Sequence, residues 1–356
     1  MDKKQIKNLS FSELNNYISE KKLQSFRAEQ IFLELFKTKN TKFEQFTTLP
    51  KSLREKLEED FEITSLKINK IRRSVDGSVK FLFDLNDGKS VEAVYMPWYD
   101  EDNIEIERVS LCISSMAGCP VECAFCATGT LGFLRNLTPA EIIDQIILVE
   151  KELNTKVTNI VFMGMGEPLL NYNNVKKTIE ILTDERADFF GRKKITLSTV
   201  GITAKIKLLA MEKFAPKLAL SLHATTNGFR NKIIPLSKQT TLKDTLDAVE
   251  FYYRNTGMHV TYEYIPFEGL NDTDEDAKRL AKILKRVPSR VNIIPFNDIS
   301  FTNPTGFAKD LKPTSKERIL EFGNLVREFG GRVTIRDTFG ADIEAACGQL
   351  ALANEE

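Results

Sequence analysis

Three of the five cysteines in this chain of 356 residues fall within eight positions, Cys119-Pro-Val-Glu-Cys123-Ala-Phe-Cys126, a C-x3-C-x2-C arrangement. Buried structural cysteines rarely crowd so closely, and a chain inside the cell does not keep stable disulfides, so the spacing points to metal ligation. Structural zinc is normally held by four tight ligands, often two C-x2-C units, and no second C-x2-C unit exists here. Three thiolates suit a [4Fe–4S] cluster with one iron left free of protein ligands, and a free iron is a place for a substrate to bind. Cys112 lies seven residues ahead of the cluster and Cys347 more than two hundred residues after it. Each alone reads as a small buried hydrophobe. Ala345, Ala346 and Gly348 nonetheless leave the room around Cys347 that a reactive thiol needs.

Other polar groups stand where strands are expected to end. In Gly164-Met-Gly166-Glu167-Pro the glycines let backbone approach a ligand, and Glu167 offers a carboxylate to an ammonium. This is not a dinucleotide fingerprint, because Leu169 stands where G-x-G-x-x-G needs its third glycine. Ser198, Ser221-Leu222-His223 and Asn297 read singly as satisfied loop groups, and His223 as a hydrogen-bonded core histidine. Strand alternation places Glu92 on one face with Val94 and Met96, where desolvation would make its carboxylate a stronger base.

The elements that must position these groups follow from hydrophobic period. Residues 1–62 read as short helices, with capping-box patterns at Ser10/Glu13 and Thr41/Glu44 and a last helix beginning at Pro50. Strands are expected over 63–71, 78–85 and 89–97, the latter two joined by an Asn-Asp-Gly turn at 86–88. From residue 107 strands (108–114, 157–163, 194–199, 217–222, 259–265, 291–296, 332–336) alternate with helices (138–153, 174–183, 241–255, 274–286, 315–329). Such alternation implies parallel β/α units, as six or so units of a partial barrel or as a doubly wound sheet, with chemistry at the strands' carboxyl ends. The expected division is a helical domain over 1–62, a β-hairpin extension carrying Glu92 over 63–106, and the barrel core with its C-terminal cysteine segment over 107–356.

Net charge is +0, from 50 Lys+Arg and 50 Asp+Glu. Residues 1–80 carry 17 Lys+Arg and 12 Asp+Glu, which permits nucleic-acid contact without requiring it. Arg72-Arg73 and Arg192-Lys193-Lys194 read as solvated surface. No apolar run is long enough to span a membrane, and the charged start MDKKQIKNLSFSEL has no secretory character, so a cytoplasmic protein is expected.

The cysteine cluster, with an aromatic residue (Phe125) before its last member, resembles the motif of radical S-adenosylmethionine enzymes. The resemblance extends to the RlmN/Cfr family of RNA adenosine methyltransferases through VEAVYMP (91–97), LCISS (111–115), GFLRNLT (132–138), FMGMGEPLLN (162–171), LSTVGI (197–202), LSLHA (220–224), IPFN (294–297) and DIEAACGQL (342–350). Met116 departs from it, since family members commonly carry Gln there. The resemblance implies a partial (β/α)6 barrel with an N-terminal helical accessory domain that binds RNA. It implies a [4Fe–4S] cluster on Cys119, Cys123 and Cys126, and S-adenosylmethionine on Gly166, Glu167, Ser198, Ser221, Leu222, His223 and Asn297.

By the same resemblance Cys347 is methylated first, and a 5′-deoxyadenosyl radical made from a second S-adenosylmethionine then activates that methyl group for addition to adenine. Glu92 then takes the ring proton, and Cys112 attacks Cys347 to free the product through a transient disulfide. The implied partners are 23S rRNA, tRNA and an electron donor such as flavodoxin or ferredoxin, with the chain acting as a monomer. GEPLLN (166–171) resembles the branch that methylates C2 of adenosine rather than the Cfr-like branch that methylates C8. A zinc-bearing RNA-binding protein without catalysis is the alternative from another class.

Overall fold

Alternating strands and amphipathic helices demand a parallel sheet covered by helices, and the computed structural model, which describes residues 3–100, 102 and 105–352, contains one. The chain begins with helices Phe11–Glu20, Phe26–Phe32 and Lys51–Asp60, tied together by two-residue strands β1 (Lys4–Gln5) and β2 (Phe61–Glu62) that pair in parallel. Ser10 and Glu13 form the expected capping box, and Pro50 is the N-cap of the third helix. The Thr41/Glu44 box does not form. Gln45 Oε1 instead accepts the Thr41 and Lys42 N–H groups, both at 3.1 Å, so a carboxamide one residue later takes the free donors.

Strands β3 (Leu66–Arg73), β4 (Val79–Leu85) and β5 (Ser90–Tyr99) form an antiparallel meander that joins β6 (Ile106–Cys112) edge to edge. A small ribbon, β7 (Met116–Gly118) with β8 (Phe133–Asn136), brackets the cysteine loop. The parallel strands β9 (Asn159–Phe162), β10 (Ile195–Thr199), β11 (Lys217–Ser221), β12 (Val260–Tyr264), β13 (Ser289–Ile293) and β14 (Val333–Ile335) then follow in order from β6. Spatial order follows chain order, so there is no switch point and the doubly wound alternative is excluded. The six strands β6 and β9–β13 make the expected partial barrel, and short β14 adds a seventh parallel strand.

The sheet stays open between β14 and β3. Residues 336–352 cross from the β14 side toward the β3–β4 turn. There Asp342 accepts the Ser74 hydroxyl at 2.5 Å, and Asp76 accepts the Gly340 N–H at 2.7 Å. This strap carries Cys347. Among the described residues no helix is long and apolar enough to cross a membrane.

A buried ion pair joins the N-terminal segment to the barrel. Lys7 is fully buried against Asp144 on helix Pro139–Leu153, whose other carboxylate oxygen accepts the Ser65 N–H at 2.6 Å and hydroxyl at 2.7 Å. Removing one partner of such a pair strands the other charge in the core. Asp144→Ala should therefore cost about 3–5 kcal/mol in urea unfolding, and Asp144→Asn, which keeps the acceptor for Ser65, should recover part of that. A loss below about 1 kcal/mol for the Ala variant would show that the pair does not hold the two segments together.

Candidate active site

The carboxyl ends of the barrel strands and the cysteine loop enclose a cavity of about 120 Å³ lined by Cys119, Cys123 and Cys126 on one side and by Gly166, Glu167, Ser198, Ser221 and His223 on the other. The loop closes tightly because of glycine: a Cβ on Gly118 (φ +72°) would sit 1.9 Å from the Gly132 carbonyl oxygen. Among the described residues no three His, Cys, Asp or Glu side chains gather closely enough to hold a single metal ion. Burial raises the thiols of Cys119, to about 12, and of Cys123 and Cys126; the charges of its two partners push Cys123 further up. Three such thiols cannot ionise together unless a cationic group sits among them. That is what an iron–sulfur cluster supplies, so the donor set fits the cluster.

Gly166 takes φ +101°, and a Cβ there would lie 2.6 Å from Met116 Cβ, so Met116 fills the place a side chain would need. Glu167 is held by two backbone donors, Leu169 N–H at 3.0 Å and Val200 N–H at 2.8 Å, while burial lifts its carboxyl to about 7. Ser198 Oγ and Ser221 Oγ stand 3.3 Å apart. His223 accepts the Ile265 N–H at Nδ1 (3.2 Å), so its proton sits on Nε2. Burial, helped by Arg230, lowers it to about 3 and keeps the ring neutral, and it meets Phe125 in an edge-to-face contact at 4.6 Å between centroids.

Two expected cofactor residues are placed differently. Leu222 is fully buried and does not line this cavity; its carbonyl accepts Arg230 Nε at 3.2 Å. Asn297 lines a neighbouring cavity instead, and its Nδ2 donates to the Cys347 carbonyl at 3.0 Å. An amide in a loop after β13 can reach either side, and the hydrogen bond to the strap decides which.

The neighbouring cavity, of about 230 Å³, runs inside the barrel and contains Cys112. The two cavities share Met163, Glu263, Ile294, Cys347 and Gly348. Cys347 is thus the joint between them, exposed to cavity space although ringed by protein. Both thiols are free. Burial raises Cys112 to about 12, and the nearby Cys347 adds to the rise.

Glu92 is buried, as its strand face predicts, but not as an isolated carboxylate. Lys80 pairs with it at 2.9 Å, and its other oxygen accepts the Leu352 N–H at 3.3 Å. It therefore lies behind the strap and not in the wall of either cavity.

Three residues escaped the sequence reading. Arg230, nearly fully buried, donates to the carbonyls of Leu222, Val200 and Ser221 and so fixes the ends of β10 and β11. Lys80 reads as an outward residue among apolar neighbours. Glu263 was the legible one, a carboxylate inside the apolar run 259–265. It lines both cavities; Oε1 accepts Asn292 Nδ2 at 3.0 Å, and Oε2 is buried with no partner among the described residues.

Residues 113–281 match the family model of the radical SAM superfamily, and residues 4–63 match that of the ribosomal RNA large subunit methyltransferase N-terminal domain. A probable dual-specificity RNA methyltransferase RlmN of Thermotoga petrophila is 45% identical over 351 residues, 98% of each chain. Its counterpart in Cytophaga hutchinsonii is 42% identical over 98% of this chain and 93% of its own. A crystal structure of a radical SAM methyltransferase from Sphaerobacter thermophilus superposes with a TM-score of 0.88 at 36% identity, covering 98% of this chain and 99% of that one.

The unpartnered Glu263 generates a pH prediction. Burial lifts its carboxyl from 4.5 to about 7, with Arg336 and Asn292 opposing the rise. The folded protein thus keeps a proton that the unfolded chain releases near 4.5, so this group stabilises the fold less as pH rises between those values. Glu263→Gln should flatten the fall in melting temperature of the cofactor-free protein between about pH 5 and about pH 8. Thermal melts across that range check it; an unchanged slope would place the proton elsewhere.

Proposed function

The chain belongs to the RlmN family of radical SAM RNA methyltransferases, and on that footing we propose that it methylates C2 of an adenosine in 23S rRNA and in tRNA. The observation that carries this reading is the position of Cys347, the one thiol shared by the cysteine-lined cavity and the cavity that holds Cys112. A [4Fe–4S] cluster on Cys119, Cys123 and Cys126, with S-adenosylmethionine in the same cavity, supplies methyl transfer and one-electron cleavage of the sulfonium.

The protein's own groups divide the remaining work. Glu167, fixed by two backbone donors, takes the cofactor's ammonium, and Gly166 lets its backbone approach. Ser198, Ser221 and neutral His223 offer polar contacts around it, and the Leu222 backbone holds the strand end in place. Asn297 holds the Cys347 carbonyl and so orients the thiol between the cavities. Cys347 carries the methyl group to the adenine ring. Glu92 accepts the ring proton, which requires the strap to yield at Leu352. Once the ring has given up its unpaired electron to the one-electron carrier, Cys112 loses its proton and attacks the Cys347 sulfur. An S–S bond forms, the S–C bond to the bridging carbon breaks, and that carbon keeps the electron pair and takes up a proton to become the methyl group. An external thiol reductant restores both thiols, and a flavodoxin- or ferredoxin-type protein supplies the single electrons. The helices of residues 1–62 serve as an accessory RNA contact, and the chain works as a cytoplasmic monomer.

Two sets of variants test this. Cys119→Ala, Cys123→Ala and Cys126→Ala should each lose iron and cofactor cleavage together when purified without oxygen; colourless parent protein holding zinc would overturn the mechanism. Cys347→Ala should neither accept a methyl group nor join RNA, whereas Cys112→Ala should be methylated and remain covalently bound to RNA. Denaturing gels and mass analysis read both, and identical behaviour would remove the division of labour. 8-Methyladenosine as main product would move the activity to the Cfr-like reaction. Glu92→Gln should keep covalent addition but slow release by roughly 10²–10⁴-fold, read by the lifetime of the protein–RNA adduct.

A further inference from the structure

The cavity that holds Cys112 opens at the end of the barrel opposite the cysteine cluster. Its lining begins with Arg108, Asn159, Thr196 and Lys217, residues at or near the amino ends of β6, β9, β10 and β11. It ends at Cys112 and Cys347. At the carboxyl end, Phe125, Phe229, Phe267, Phe296 and Phe307 pack together as an apolar layer beside the cysteine-lined cavity.

Cations collect around the amino-end mouth. Burial lowers the Lys217 ammonium, and the positive charges of Lys194, Arg290, Arg108 and Lys193 lower it further. Arg108, Lys193, Lys194 and Arg290 are exposed, and none of the five has an ion-pair partner among the described residues. At Arg108 the neighbouring Glu107 opposes this. With no ion-pair partners among the described residues, these side chains create a local positive field that a phosphate backbone would neutralise.

An aromatic group stands inside the mouth. The Trp98 ring lies 4.3 Å from the Arg108 guanidinium and 5.7 Å from that of Arg336, with Phe339 at 4.7 Å between ring centroids. The Trp98 Nε1–H is buried and has no acceptor among the described residues. A flat ring flanked by guanidinium groups, with a spare donor, suits an unstacked base.

We propose that substrate RNA docks on this amino-end mouth, its phosphates on Lys193, Lys194, Lys217 and Arg290, and that the target base passes Trp98 to reach Cys347 from below. The proposal rests on the RNA methyltransferase reading and adds the face from which RNA enters. It assigns the main electrostatic contact to the barrel floor, while the N-terminal helices contribute beside it. It also gives the base flipped out of its stack a path that never crosses the cysteine-lined cavity.

The test uses the reconstituted holoenzyme and an unmodified tRNA transcript. Lys193→Gln/Lys194→Gln should weaken tRNA binding at least about tenfold at moderate salt and reduce the slope of log Kd against log salt by about two. Lys278→Gln/Lys282→Gln, exposed on a helix outside this mouth, should leave both within about twofold. Lys217→Gln, lining the cavity itself, should cost about one unit of slope. Methylation of Cys347 without RNA, read by intact mass, should be unchanged in all three. Unchanged tRNA affinity and slope in the mouth variants, or an equal loss in the control pair, overturns the proposal. Failure of the parent protein to accept a methyl group on Cys347 would instead defeat the functional reading.

Discussion

The ion pair between Lys80 and Glu92 is the interaction on which the placement of Cys347 depends. Both side chains are almost wholly buried, 2.9 Å apart. Each also holds the strap: Lys80 Nζ donates to the Glu344 carbonyl at 3.1 Å, and Glu92 accepts the Leu352 N–H at 3.3 Å. Cys347 lies between those two points. A buried charge pair tolerates no loss of a partner, so lifting the strap would strip both ions of backbone contacts in the same movement. The grip is needed because the strap turns through left-handed backbone at Gly340, Glu344, Gly348 and Leu352, two of which are not glycine. Such residues cost of order 1–3 kcal/mol each and persist only where surrounding contacts over-determine them. As a latch Glu92 must stay on Leu352, whereas the proton-acceptor role proposed for it requires it to let go.

The open sheet explains why the strap exists. No hydrogen bonds join β14 to β3, so the barrel cannot close on itself. The strap spans that gap, with Asp342 on Ser74 and Gly340 on Asp76 at one end. On its way it meets the short helix Ala127–Thr130 that follows the cluster cysteines. There Gly348 accepts the Ala127 N–H at 2.7 Å, and Leu350 accepts the Thr128 hydroxyl at 2.6 Å. The separation between the cluster loop and the Cys347 thiol is therefore set largely by backbone groups. The element that carries Cys347 is the same one that bridges the open side of the fold.

Much of this was legible from residue order. The strands of the barrel lie within a few positions of the apolar runs that predict them, because each run is bounded by turn residues and followed by an amphipathic helix. The cysteine loop, GMGEP and His223 come together as strand-end logic requires. What sequence could not show were groups whose setting comes from distant segments. Lys80 alternates with Val79 and Phe81 and reads as solvent-facing, yet both faces of β4 are covered and its partner comes from β5. Glu92 was correctly placed on a buried face, but the cation beside it is set by cross-strand geometry. Asn297 and Leu222 match the family pattern by position, whereas their contacts depend on the strap and on Arg230. Thr41 failed as a cap because Gln45, one residue further along, offered the backbone a longer reach.

Two cavities meeting at one sulfur impose a constraint of their own. A thiol that receives a group from one side and delivers it to the other must present its sulfur to both without moving its backbone far. Small neighbours make this possible: Ala345 and Ala346 line the inner cavity, and Gly348 follows at φ +85°. A Cβ at Gly348 would stand 3.1 Å from the Phe125 carbonyl oxygen, pressing on the cysteine loop. Glycine is required here by conformation and by contact at once, and the same position supplies the carbonyl that ties the strap to Ala127. Glu263 faces the same joint with an oxygen that no described group satisfies. A buried acceptor left open where two cavities meet is costly to a fold that gains nothing from it. Glu263 thus costs the fold stability at the point where the two cavities meet, beside Cys347.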